Sequence, residues 1–218
     1  MAPAADRHAE IGRALCVGVG ADTDASLFSA LASERGFSES VLLLDEKATC
    51  AAVRATLVEM AALSEPGDLF LLTFCGHGGR TRRRAQGGEL QEIGTWQLYD
   101  GTLNGEQLKA DLACFREGVR VLVVSDNCGG GMPASGASDL EASVLVFAAC
   151  EEGKCADGAG LPGHFAGALR RTLNGSFNGS YGAFHEALCG AMPPYQKPDY
   201  YRLGIPDAAF EAQRPFTI

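Results

Sequence analysis

Short apolar runs alternate along this chain with longer stretches in which apolar residues recur at helical spacing. The runs Arg13–Val19, Ser40–Leu44, Asp68–Phe74, Val119–Val124 and Ser143–Ala149 predict strands. Helical spacing predicts helices over Asp24–Arg35, Ala48–Leu63, Gly105–Phe115, about His164–Leu173 and about Tyr181–Met192. The first of these opens on an acidic residue and stops before Gly36, the second breaks at Pro66-Gly67, and Asn104 caps the third. A short terminal stretch offers one more strand. Runs rich in Val and Leu, interleaved with helices, are those of a mostly parallel sheet covered on both faces. The predicted class is α/β.

Two stretches break the alternation. Gly78–Gly94 is glycine-rich and polar, with Arg80, Arg82, Arg83 and Arg84 close together, and reads as a long exposed loop. Gly129–Glu141, rich in Gly, Ala and Ser, reads as a flexible connector. A length of 218 residues fits one domain, and 46% hydrophobic content indicates a globular chain. The formal charge of −9 disfavours nonspecific binding to nucleic acid or to an anionic membrane. No apolar run approaches the roughly 20 residues that span a bilayer, and the N-terminal apolar run is too short for a secretion signal. The expected location is therefore cytoplasmic. The 8 cysteines are then expected as free thiols, with Cys16, Cys114, Cys150 and Cys189 as small core residues. Cys150 and Cys155 lack CxxC spacing and no matching pair follows, so no zinc site is expected.

The candidate chemistry lies where strands end. FLLTFCGHGGR, from Phe70 to Arg80, places His77 among glycines just past one predicted strand. VLVVSDNCGGG, from Val121 to Gly131, places Cys128 in the same setting past another. Ligands of an open parallel sheet sit beyond the carboxyl ends of its strands. If these two strands are neighbours, the imidazole and the thiol share one cleft. A thiol attacks as thiolate, and an imidazole can take its proton and later deliver it to a leaving amine. Glycines let backbone approach a substrate and aim N–H groups at an oxyanion; the amides of Gly78 and Cys128 are the candidates. Neither glycine-rich turn has the Lys-Ser/Thr or GxGxxG spacing of a phosphate cradle. Taken singly, a histidine opening a loop and a cysteine beside glycines are most often structural; their joint placement is what points to catalysis.

CGHGG and SDNCGGG resemble the His and Cys motifs of the caspase-like cysteine peptidases, the C14-like group that includes metacaspases and prokaryotic caspase-family proteins. In that group the histidine lies about 50 residues before the cysteine, as it does here. Asp24-Ala25 with Leu31, Trp96-Gln97-Leu98-Tyr99-Asp100, Val146-Phe147-Ala148-Ala149-Cys150 and the tail from Tyr181 through PPYQKPDYYRLG to PFTI extend the resemblance over nearly the whole chain. It implies a three-layer sandwich with a mostly parallel central sheet and helices on both faces. It also implies one peptidase domain over 1–218: a large-subunit-like part (1–128), a short connector (129–142) and a small-subunit-like part (143–218).

The implied activity is a cysteine endopeptidase in which Cys128 attacks and His77 serves as acid and base. In metacaspases the acid two residues before the cysteine lines a pocket for Arg or Lys; Asp126 stands there, with Asp24 matching a second acid and Cys75 standing where many members have serine. Two carboxylates can pair a guanidinium and accept from its fork. Asp126 could instead hold an Asx-type turn, and Asp24 could be a helix cap. The implied partner is a protein or peptide with a basic residue before the cut, with no nucleic acid and no membrane. No Lys or Arg occurs between Arg120 and Lys154, so a basic-specific enzyme cannot cut its own connector. The cluster of Arg80, Arg82, Arg83 and Arg84 offers a self-cleavage site, a pseudosubstrate or a solvated basic loop.

The chain departs from the family's pattern at Cys75, at Gly129-Gly130-Gly131 where His-Ser-Gly is usual, at Lys154 where Gln is common, and at His164 where Thr or Ser is usual. These changes touch the pocket floor and leave a non-catalytic caspase-like scaffold or regulator as the alternative. A nucleotide-binding or thiol-redox protein, suggested by VGVGAD and the loose cysteines, is a third reading. No cofactor is required by the sequence. Many members need calcium, but Glu89, Glu92 and Asp100 are the only nearby carboxylates and supply few of the six to eight oxygens calcium takes.

Overall fold

In the computed structural model, which describes residues 9–84, 90–127, 139–150, 164–174 and 177–218, the apolar runs lie side by side. The strands β1 (Gly12–Gly18), β2 (Glu39–Leu44) and β3 (Leu69–Cys75) share this sheet with β7 (Arg120–Asp126), β8 (Ser143–Ala148) and β9 (Asp199–Gly204). Their order is β2-β1-β3-β7-β8-β9. All neighbours pair in parallel except β8 and β9, which are antiparallel. The predicted mostly parallel sheet is therefore present, and the terminal strand joins it as β9.

Why near-continuous apolar runs are needed follows from the two cores. Successive side chains of a strand point to opposite faces. Ala14, Cys16, Leu69, Leu71, Leu122, Val124, Leu145 and Phe147 enter one core. That core is closed by α1 (Asp22–Glu34), α4 (His164–Asn174), α5 (Tyr181–Ala191) and α6 (Ala208–Ala212). Leu15, Val17, Phe70, Leu72, Phe74, Val121, Val123, Val144 and Val146 enter the other, closed by α2 (Cys50–Leu63) and α3 (Gly105–Leu112). A polar residue at either parity would face a desolvated layer.

Local signals set the helix starts. Thr49 caps α2 by accepting from the Ala52 N–H at 3.1 Å. Asn104 caps α3 as predicted, in a reciprocal box with Gln107. α1 differs from expectation: it begins at Asp22, its cap Ala21 makes no side-chain bond, and Asp24 sits inside the first turn. Asp24 is therefore not the cap.

The Gly78–Gly94 stretch is a correction. Instead of a long loop it forms β4 (Gly78–Arg84) and most of β5 (Leu90–Leu98), which with β6 (Gly101–Asn104) make a second sheet in the order β4-β5-β6. Arg82 stands opposite Glu92, and both Arg80 and Arg82 pair with that carboxylate at 3.1 and 3.2 Å. These strands are polar because much of their surface meets solvent, so composition hid them. The missed signal was the alternation of Trp96 and Leu98, which are buried in the α2/α3 core.

Other expectations fare unevenly. Cys16, Cys50, Cys75, Cys114 and Cys189 are free thiols, but Cys114 is exposed and Cys50 and Cys189 are half-buried. Cys150 is buried as expected but disulfide-bonded, against the expectation of a free thiol. No described helix is long and apolar enough to cross a membrane.

The sheet's opening end is pinned by Asp68, which is 1% exposed. Its carboxylate accepts from the Ile11 N–H at 2.9 Å, the Glu65 N–H at 3.0 Å and the Arg13 guanidinium at 2.7 Å. Replacing Asp68 with Ala leaves a largely buried cation and two N–H groups without their acceptor, a loss of about 3 kcal/mol. The expected result is a melting midpoint lowered by roughly 6–12 °C, read by calorimetry; a shift within 2 °C would refute the assignment.

Candidate active site

β3 and β7, the strands that lead into the two glycine-flanked segments, are neighbours in register. Cys75, the last residue of β3, is paired with Asp126, the last of β7. Both chains therefore leave the sheet at the same rim. His77 is exposed there. Cys128 lies outside the described residues, so the path of β7 is followed to Asn127, its immediate neighbour. Three contacts fix the histidine turn. The Gly76 N–H donates to the Asp126 carbonyl at 3.2 Å, and the Gln97 N–H donates to the His77 carbonyl at 2.9 Å. Gly78 lies flush against Asn127: a Cβ at Gly78 would overlap Asn127 Oδ1 and come within 2.6 Å of its Cγ.

The direction of the Gly78 peptide follows from the ladder. Opposed residues of an antiparallel pair alternate between bonded and non-bonded. The bond from Gln97 to His77 makes that pair a bonded one, so Gly78 and Trp96, the next opposed pair, are non-bonded. The Gly78 N–H thus points away from β5. It is available to an oxyanion in the sense that the β4–β5 ladder does not consume it.

On the α1/α4 side of the sheet the pocket acids meet. Gly18 ends β1, and a Cβ there would stand 2.7 Å from Ala25 Cβ and 2.9 Å from Leu44 Cδ2. Its bare backbone lets the first turn of α1 settle on the strand, bringing in Asp24, which is 6% exposed. Asp126 is partly buried, and desolvation, then the charge of Asp24, push its pKa up to about 7, opposed by a hydrogen bond from the Ala166 N–H. That donor belongs to the first turn of α4, so Asp126 faces a helix N-terminus, where a negative charge is favoured. The bond is to a helix remote in sequence rather than to a local Asx turn. Cys75, 1% exposed, is held as a neutral thiol: burial first, then the charges of Asp126, Asp24 and Cys16, raise its pKa well above the usual range. Asp24, Asp126 and Cys75 thus share one electrostatic environment.

Other candidates are placed differently. Arg80 and Arg82 hold Glu92 rather than the acid pair, and Arg84 continues β4. Asp100 accepts from the Cys50 N–H at 2.7 Å at the start of α2. Among the described residues no three His, Cys, Asp or Glu side chains converge as a metal site, and Glu92 and Asp100 are occupied by these other partners. His164 opens α4 with a buried Nδ1 that has no hydrogen-bond partner among the described residues. Glu89, Gly129 and Lys154 lie outside the described residues. Sequence reasoning missed Ser125, Asn127 and Trp96 as a unit. Ser125 Oγ accepts from Trp96 Nε1 at 2.8 Å and from Asn127 Nδ2 at 2.6 Å. The spacing of Ser125 and Asn127 around Asp126 was the available sign, since alternate residues share a face.

Comparison with known proteins identifies the family and the fold. The Peptidase C14 caspase-domain family model matches residues 18–204. The crystal structure of protein GSU0716 from Geobacter sulfurreducens is similar at 30% identity and a TM-score of 0.84, covering 95% of this chain and 99% of that one. The crystal structure of caspase-1 from Spodoptera frugiperda is similar in fold at 14% identity and a TM-score of 0.56, covering 89% of this chain and 88% of that one. No curated protein matches the sequence.

The acid pair has a stability cost with a definite sign. Unfolded, Asp126 titrates near 3.9; folded, at about 7. Between these values the folded state binds more protons, so stability falls as pH rises. Removing the charge with Asp126→Asn relieves roughly 2 kcal/mol above pH 7, discounted for the partial exposure. The variant is expected to melt about 4–8 °C above the parent at pH 8, and the gap should close by pH 4. A parent that is the more stable protein at pH 8 would contradict the assignment.

Proposed function

Because the chain belongs to the caspase-domain family of C14 peptidases, we propose that it is a cysteine endopeptidase cleaving protein substrates after Arg or Lys. The observation that carries the reading is the contact between Asn127 and Gly78, the chain neighbours of Cys128 and His77. Chain connectivity then leaves the thiol and the imidazole only short spans from one shared rim.

The chemistry divides among four groups. The Cys128 thiolate attacks the scissile carbonyl after its proton has passed to His77. Negative charge gathers on the carbonyl oxygen, and the Gly78 and Cys128 amides receive it. His77 returns the proton to the departing amine, so the C–N bond breaks with a neutral leaving group. Water, activated by the same imidazole, then cleaves the thioester and restores the thiol.

Selectivity rests on Asp24 and Asp126. A guanidinium placed between them restores ionisation that burial otherwise suppresses in Asp126. An aspartate at the same place would meet like charges, and a neutral side chain would leave an unpaired carboxylate. Cys75, neutral and buried, adds floor area without charge. Self-cleavage after Arg80, Arg82, Arg83 or Arg84 would require β4 to leave β5, because a scissile bond must be pulled into the site as an open strand.

Fluorogenic peptides with Arg, Lys, Asp or Ala before the reporter, assayed with and without calcium, test this reading. Arg and Lys peptides are expected to turn over at least about 100-fold faster than Asp or Ala peptides, with turnover lost in Cys128→Ala and in His77→Ala. Preference for Asp would overturn the acid-pocket assignment, and turnover independent of Cys128 would overturn the mechanism. A second measurement isolates Asp126. The ratio of kcat/KM for an Arg peptide to that for its uncharged citrulline analogue should rise with pH through about 7, where Asp126 ionises. Titration of the catalytic groups cancels in this ratio, so a flat ratio would exclude Asp126 from the pocket.

A further inference from the structure

The segment before Cys128 carries a buried hydrogen-bond relay whose target is the histidine turn. Ser125 is 0% exposed, Trp96 3% and Asn127 4%. Ser125 Oγ accepts from two fixed donors, the Trp96 indole N–H at 2.8 Å and Asn127 Nδ2 at 2.6 Å. Trp96 is itself immobilised by stacking on Phe74, with ring centroids 4.7 Å apart and planes 12° from parallel. The Asn127 amide is therefore held from both sides: by its own strand through Ser125 and, through the indole, by β5.

The carbonyl end of that amide abuts Gly78. Cross-strand partners present their side chains on one face, and Gly78 is the partner of Trp96. Having no side chain, Gly78 leaves beside the indole the space that the Asn127 amide fills. One wedge from β7 thus sets the height of the peptide whose N–H points away from β5. The preceding residues are fixed separately, Gly76 by the Asp126 carbonyl and His77 by the Gln97 N–H.

We propose that Asn127 is a positioning residue for the oxyanion site: braced by Ser125 and Trp96, its side chain sets the Gly78 amide relative to the strand that leads into Cys128. This rests on the reading of Gly78 as an oxyanion donor given above. The role differs from that of His77 and Cys128, because Asn127 touches neither the reacting carbonyl nor the leaving group. It acts by preorganisation, and an amide misplaced by about 1 Å loses much of its value in the transition state.

The test separates positioning from general stability. Alkylation of Cys128 by iodoacetamide needs a thiolate but forms no tetrahedral oxyanion, whereas amide hydrolysis needs both. Asn127→Ala is expected to lower kcat for an Arg peptide about 10–100-fold, with KM within about threefold and the alkylation rate within about twofold of the parent. Ser125→Ala, a smaller change that removes the brace, should reproduce the pattern in weaker form and serves if the first variant does not fold. The Gly78 amide resonance, followed by 1H–15N NMR, reads positioning without turnover and is expected to shift in either variant while resonances of β1 and β2 stay in place. An unmoved Gly78 resonance, or kcat and alkylation falling together, would overturn the proposal. A shifted Gly78 resonance in a protein whose parent has no peptidase activity would retain the positioning and reject the peptidase reading instead.

Discussion

The parallel pairing of β3 with β7 is the constraint on which the rest of the site depends. Because Cys75 lies opposite Asp126, the two strands end level, and the chains beyond them leave the sheet together. Slipping this register by one residue would turn every side chain of a strand to the other face. Here that would move Asp126 out of the α1/α4 side and push Ser125 into it. Burial of both faces makes such a slip prohibitive, since Val121 and Val123 would have to exchange cores with Leu122 and Val124. The core therefore sets the chemistry through strand parity.

That parity divides labour across the sheet. Asp126 points to the side closed by α1 and α4, where it meets Asp24, Cys75 and the first turn of a helix. Ser125 and Asn127, its neighbours, belong to the opposite parity and engage Trp96 and Gly78. Three consecutive residues thus engage two faces immediately before Cys128. On the proposed reading, one face chooses the substrate side chain and the other places backbone. Two glycines that a Cβ would crowd, Gly18 and Gly78, sit one on each side.

The acid pair also shows where stability is given up. A carboxyl whose pKa is displaced to about 7 by desolvation and by a like charge opposes folding at neutral pH. The fold supports that conflict with two apolar cores and with fully engaged polar anchors elsewhere, such as Asp68 with its three donors. A displaced pKa at the rim, against satisfied anchors elsewhere, is the pattern that marks a candidate functional site.

Much of this was legible in the chain itself. The Val- and Leu-rich runs determined a two-faced sheet because no other arrangement buries every residue of such a strand, and CGHGG and SDNCGGG marked the rim where β3 and β7 end. Asn104 announced its helix through a local capping bond, which needs only nearby residues. The hairpin at Gly78–Arg84 and Leu90–Leu98 was not legible, since exposed arginines hide strand character and its pairing depends on Glu92 and on burial of Trp96. Nor was the start of α1 at Asp22, which the bare backbone of Gly18 and packing on β1 decided over any capping signal. Sequence by itself determined the sheet's strands and the candidate residues that follow β3 and β7, because periodicity and motif are local properties. Only the tertiary structure decided that Asn127 rests on Gly78 and that Asp126 feels the charge of Asp24, because such contacts arise from packing between segments remote in the chain.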